Sequence, residues 1–341
     1  MQLLQFIDPM YGRCVGRIDG SDVVDITSTQ RDVRTVYDIC YRHGGCDIGL
    51  AEAVRSIEDT GNPPRRLPVD ELLSNEDPAR PRIHQPIDPS PAAPTALRIW
   101  LAGVTHADSA RLREIEARQA TGRPVNVYDQ KYEECVQGGR PELFPKHDPE
   151  SVVGPGYPIV RPIDTQRLVP EAELVSVYGR ATAGKIVLLG YTAGNDVTDN
   201  GMEAMNPLNL PQAKNWSDGC GSIGPVLVTS DEFDPRDVDV SCEVWRSGRC
   251  IARKVGRTGS DHLNLRDGPA QMERALFTRF PLREGQLQAL FWGTPLVFDE
   301  SDLKRGLLPG DVVRIRFGGG IGQLENPVIA QDATSQMNFP E

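Results

Sequence analysis

Apolar residues at the start of the chain come in short bursts, MQLLQFI, CVGRI and DVVDI, broken by DPMYG and DGSD. Bursts of this length between turn-forming residues predict short strands. The pattern then changes. TVYDICYR and GLAEAVRSIEDTG space their apolar residues as helices do, the second beginning near Asp47 and ending at a Gly stop. Residues 63–96 carry dense proline and no periodicity. They are expected to join a small N-terminal α/β domain, 1–75, through a Pro-rich linker, 76–97, to a larger domain, 98–341. That part opens with the strand ALRIWLAGV. A helix capped by Asp108 or Ser109 should follow, running through Glu116 and ending near Gly122. NVYDQKYEECVQGGRPELFPKHDPESVVGPG reads as loop with aromatic anchors. Strands then accumulate: PIVRPI, EAELVSVYG, KIVLLGYTAG, GPVLVTS, DVDVSCEVW, CIARKVG and DVVRIRFGG. RSGR is a hairpin turn and ERALFTRF a short helix. No regular βα alternation appears, so the expected class is α+β, β-dominated, and not a doubly wound or (β/α)₈ fold.

Composition agrees. Hydrophobic residues make up 39% of 341, enough for a full core, and Gly and Pro number 33 and 28, above average usage. The formal net charge of -11 and the lack of a basic stripe argue against a nucleic-acid partner. Seven cysteines with no CxxC pair read as reduced thiols, not as a disulfide framework or a zinc site. No apolar run reaches eighteen residues, and a soluble, cytoplasmic protein without a membrane partner is the expectation.

The chemistry begins at PEAELVSVYG. Glu171 and Glu173 are two apart, so a strand would hold both carboxylates on one face. Charges that close need a cation, a proton or solvent between them. Asp196 closes the strand KIVLLGYTAGND, and three carboxylates suit a hard ion such as Mg²⁺. The competing reading is an exposed acidic strand face with an Asp in a turn. Lys214 leads into a Gly-rich turn, DGCGSIGP, and FWGTP sets Gly293 and Thr294 in a turn that offers a hydroxyl and backbone N–H groups to a carboxylate. Taken alone, each is an ordinary surface lysine and an ordinary turn.

Together these stretches resemble the fumarylacetoacetate hydrolase family. The resemblance rests on ExE at 171–173, GYTAGNDVT with Asp196, Lys214 before DGCGSIGP, FWGTP, and LLPGDVVRIRFGGGIGQLENPV, over about residues 98–328. It implies a mixed β-roll, commonly a homodimer (a homotetramer is the other expected assembly), with Mg²⁺, or Mn²⁺ or Ca²⁺, on Glu171, Glu173 and Asp196. The implied substrate is a 2-oxo acid, with Lys214 orienting it or stabilising developing negative charge and Thr294 binding the carboxylate. GVT, RPELFPK, VVGPG and NPLNLPQAK resemble the branch of 2-keto-3-deoxy sugar-acid dehydratases. Two departures matter. The His and Glu of the family's hydrolytic dyad fall on Ser109 and Leu112, leaving His106, Glu114 and Glu116 as candidate bases and Ser109 as a substrate contact. The family's TARD reads TDNG here, so Asn200 replaces an Arg that faces the substrate carboxylate. The expected reaction is dehydration of a pentonate-like 2-keto-3-deoxy acid through an enolate stabilised by the metal. C–C hydrolysis of an acylpyruvate or diketo acid, decarboxylation of a 2-oxo acid, and 2-oxo-acid binding without turnover stay open.

Overall fold

The computed structural model describes residues 1–59, 63–88, 96–107, 127–146 and 148–332, with Ile115 and Arg118 as isolated positions. The expected helix after residue 107 therefore lies outside the described residues. The described architecture is α+β and β-dominated, as the strand pattern predicts. One large mixed sheet has thirteen strands, and a second has five.

The N-terminal hairpin, Gln2–Asp8 with Gly12–Asp19, keeps one register from Leu3↔Arg17 to Asp8↔Gly12. Its first strand also pairs with Leu227–Thr229, at Leu3↔Leu227, and with Arg82–His84 from the proline-dense stretch. The large sheet thus runs without a break from the N-terminal segment into the site-bearing strands. Leu3 and Val15 share one core with Val175, Val177 and Phe291. The helix Val36–Arg42 starts at a capping box between Thr35 and Asp38. The single helix expected from near Asp47 is two, Gly45–Ile48 and Leu50–Glu58. Gly49, at φ 94, breaks it, in a backbone state that favours glycine.

The stretch read as loop is in part ordered structure. Val127–Val136 is a helix, and Glu142–Lys146 is a strand antiparallel to Leu97–Gly103 at the sheet margin. The helix buries only Tyr128 and Cys135, too sparse an apolar face to show as a period. Pro145 in the strand is tolerated because that strand ends the sheet. The helix at ERALFTRF is longer than expected, Pro269–Arg279, with proline in its first turn.

RSGR is the predicted hairpin turn, with Ser247 and Gly248 at φ 50 and 76, joining Val238–Arg246 to Arg249–Thr258 in the five-stranded sheet. Val240, Val244 and Ile315 of that sheet pack in one core with Leu174, Ala193 and Leu290 of the large one. Among the described residues no helix is long and apolar enough to cross a membrane.

Candidate metal centre and active site

A single hairpin builds the acidic cluster. Ala172–Arg180 pairs antiparallel with Ile186–Asn195, with Ala172 opposite Asn195 and Glu173 opposite Gly194. Glu171 and Asp196 lie just outside the two strand ends. The Asp196 N–H donates to the Glu171 carbonyl at 2.9 Å, and the Glu171 N–H to Asn195 Oδ1 at 3.1 Å. The period of two puts Glu171 and Glu173 on one face, and the cross-strand pairing brings Asp196 to the same place. One oxygen from each carboxylate lies within 4.8 Å of the others. All three residues are buried, with exposures of 5, 2 and 1%. The acidic strand face is therefore not a solvated one.

Burial pushes the Glu173 carboxyl well above the ordinary range, and the charges of Asp196 and Glu171 add to that. Lys214 and the Gly293 N–H, which donates to Glu173 Oε2 at 2.7 Å, act in the opposite sense. Gly293 has φ 81, and a Cβ there would stand 2.1 Å from Thr105 Oγ1. Only glycine brings this N–H to Glu173.

Two lysines answer the negative charge. Lys214 ends the helix Leu210–Lys214 and donates to Glu171 Oε2 at 2.9 Å and Asp196 Oδ2 at 2.7 Å. Lys146 ends the Glu142–Lys146 strand and donates to Asp196 Oδ1 and to the Val197 carbonyl. Three buried carboxylates with no His or Cys among them form a hard-oxygen set, and two ammonium groups already seated on it show its demand for positive charge. The residues fit a hard divalent cation.

Beside the cluster is a second acidic group. Glu142 lies across from Gly103, where a Cβ would come within 2.3 Å of Glu142 Oε2. Its carboxyl is pushed up to about 6, by burial first and then by the charge of Glu203, with Lys214 and Lys131 opposing. Glu203 sits on the helix Asn200–Met205 and accepts from the Tyr128 hydroxyl at 3.4 Å. Asp199 caps that helix, accepting from Met202 N–H, and also holds the N–H groups of Gln166 and Arg167.

The remaining expected site residues fall as follows. Asn200 is buried at the first position of that helix, its N–H donated to the Arg167 carbonyl. Thr294 is buried, and its hydroxyl both donates to the Leu296 carbonyl and accepts from the Leu296 N–H. Buried His106 has both ring nitrogens on hydroxyls, Nδ1 with Thr105 and Nε2 with Thr258, at 3.0 and 3.1 Å. Burial pushes its pKa down to about 3, and His262 contributes. Thr105 in turn donates to the Trp292 carbonyl at 2.6 Å, so His106 props the turn that carries Gly293. A neutral ring with both nitrogens engaged is built as a brace and not as a base. Ser109, Glu114 and Glu116 lie outside the described residues. Glu142 and Lys146 were the residues missed. Both stand in RPELFPK, where prolines on either side of ELF disguise a strand.

The family model described as "Fumarylacetoacetate (FAA) hydrolase C-terminal" matches residues 104–329. The chain belongs to the fumarylacetoacetate hydrolase family. It is an enzyme of that family, on the side of the sugar-acid dehydratases. A 2-dehydro-3-deoxy-D-arabinonate dehydratase of Saccharolobus solfataricus is 34% identical over 249 residues, covering 72% of this chain and 74% of that one. A probable 2-keto-3-deoxyxylonate dehydratase of Haloferax volcanii is also 34% identical, over 90% of this chain and 92% of its own. Among solved structures, a 2-keto-3-deoxy-D-arabinonate dehydratase complexed with magnesium and 2,5-dioxopentanoate superposes with a TM-score of 0.69 at 26% identity, covering 97% of this chain and 99% of that one.

Proposed function

We propose that this fumarylacetoacetate hydrolase family member removes water from a 2-keto-3-deoxy sugar acid of pentonate size, using Mg²⁺ held by Glu171, Glu173 and Asp196. The observation that carries the reading is Glu142, a carboxyl raised to about 6 that lies in the field of Lys214, itself seated on the candidate ligands. A carboxyl tuned near neutral pH is suited to take a proton and return it. The names of the relatives, and the magnesium and dioxo acid in a solved structure of similar fold, support the same substrate class.

When bound, the divalent ion supplies Lewis acidity to the 2-oxo group. Lys214 places positive charge where the C2 oxygen gains negative charge as C3 loses a proton. Glu142 accepts that C3 proton and returns it to the departing C4 hydroxyl, which leaves as water. A C3=C4 double bond forms. Its shift to C4=C5 gives the enol of a C5 aldehyde, so the product is a 2,5-dioxo acid. In this scheme the Gly293–Thr294 turn, which reaches Glu173, takes the carboxylate, and Glu203, whose charge acts on Glu142, faces the C4 hydroxyl together with Asn200 of the same helix. Glu114 and Glu116 are not needed as bases in this scheme. The assembly belonging to this reading is a homodimer or homotetramer.

The test is incubation of the enzyme with enantiopure 2-keto-3-deoxy-pentonates and Mg²⁺, with products identified by mass. A product lighter by one water is expected. Release of pyruvate, or no reaction with any stereoisomer, overturns the proposal.

A further inference from the structure

Lys146 is a buried charge that the reaction scheme leaves unused. Its side chain is 1% exposed. The ammonium holds Asp196 Oδ1 and, at 3.2 Å, the Val197 carbonyl, with the Trp216 ring centroid 5.7 Å away. Gly221 packs against the stem, since a Cβ there would stand 3.2 Å from Lys146 Cε. The two oxygens of Asp196 are thus divided between two lysines. Lys214 bridges two of the candidate ligands, whereas Lys146 touches one and is anchored to backbone. Burying an ammonium is costly, and a neutral amide is enough to hold one carboxylate oxygen. What the ammonium adds is its charge.

Formal charges show the use of it. Three carboxylates and two ammonium groups leave the cluster one negative charge. A divalent ion turns that into one positive charge, which a monoanionic 2-oxo acid neutralises. Without Lys146 the ion-loaded cluster is neutral before the acid arrives. Glu142 and Glu203 add negative charge when ionised, so the positive charge of Lys146 matters more.

We propose that Lys146 is a positioning residue that sets the charge of the metal centre. It holds Asp196 in place and moderates the grip on the divalent ion, so that the loaded site keeps its attraction for a monoanionic 2-oxo acid. This rests on the reading of the cluster as a metal and 2-oxo-acid site.

The experiment is calorimetric titration of Mg²⁺ into the wild type, Lys146→Met and Lys146→Gln, followed by pyruvate into each Mg²⁺-loaded protein. Methionine removes the charge and the donor; glutamine removes the charge and keeps a donor. Both variants are expected to bind Mg²⁺ at least about tenfold more tightly and pyruvate at least about tenfold more weakly. A mere structural prop gives weaker Mg²⁺ binding, and that result, or unchanged pyruvate affinity, overturns the proposal. Lys146→Gln decides where the variants differ or where Lys146→Met does not fold. A wild type that binds no Mg²⁺ overturns the reading of the centre together with this role. A wild type that binds both ligands, with variants that move otherwise, overturns the role alone.

Discussion

Replacing Glu142 by glutamine should stabilise the ion-free protein while stopping turnover. The folded state raises this carboxyl from 4.5 to about 6, chiefly by burial and by the charge of Glu203. A raised carboxyl makes ionisation costly. The fold keeps its full stability below about pH 4.5 and loses part of it as pH climbs through about 6. At about 1.4 kcal/mol per pH unit the shift amounts to about 2 kcal/mol, and the partial opening of Glu142 to solvent discounts that to about 1–2 kcal/mol. Glutamine has no charge to strand. In urea unfolding with EDTA present, the variant should exceed the wild type by this amount at pH 7.5, and the two should converge toward pH 4.5. The same variant should lose at least about 100-fold in kcat if Glu142 carries the proton. A stability difference that stays constant across that range, or that favours the wild type at pH 7.5, refutes the assignment of a raised carboxyl. Full turnover refutes its role.

Three further outcomes test the surroundings of the cluster. Gly103→Ala sets a Cβ 2.3 Å from the present position of Glu142 Oε2. The flexible end of that side chain gives way, so thermal stability should hold within about 1 kcal/mol while kcat falls about 100-fold, measured by melts and steady-state kinetics. Glu173→Gln removes one of three crowded buried carboxylates, so the ion-free protein should melt higher and Mg²⁺ should no longer raise the melting temperature. His106 is neutral in the fold down to about pH 3, whereas the unfolded chain takes up a proton below about 6.5. Stability is therefore lost as pH falls below 6.5, and His106→Gln should flatten that loss by about 1.4 kcal/mol per pH unit between pH 6 and 4, read from urea midpoints.

The hairpin that gathers the three carboxylates was legible because its signals are local. Alternation from Glu171 along the strand, and a turn residue at its partner's end, require no knowledge of distant contacts. Lys214 was legible only through its family motif, since an isolated lysine carries no sign of burial. Lys146 and Glu142 stayed hidden because their environment comes from cross-strand pairing with residues 99–103, and prolines obscured the strand that bears them. His106 was misread for a related reason. It stands three residues before Ser109, the position of the family's dyad His, and only the packed hydroxyls of Thr105 and Thr258 reveal a brace. The split at Gly49 was missed because a lone glycine in a helical period is commonly tolerated.

All three candidate ligands come from one hairpin, residues 171–196, while the groups around them arrive from residues 103, 142–146, 200–214 and 293. Closing so short a loop costs little entropy, so the cage can assemble early and by itself as the chain collapses. The walls are contributed by remote segments that meet only in the finished fold. The carboxylate cluster and the groups that surround it are therefore written in separate parts of the sequence. Evolution can carry the cage intact as a cassette and exchange the chemistry by redrafting what stands around it.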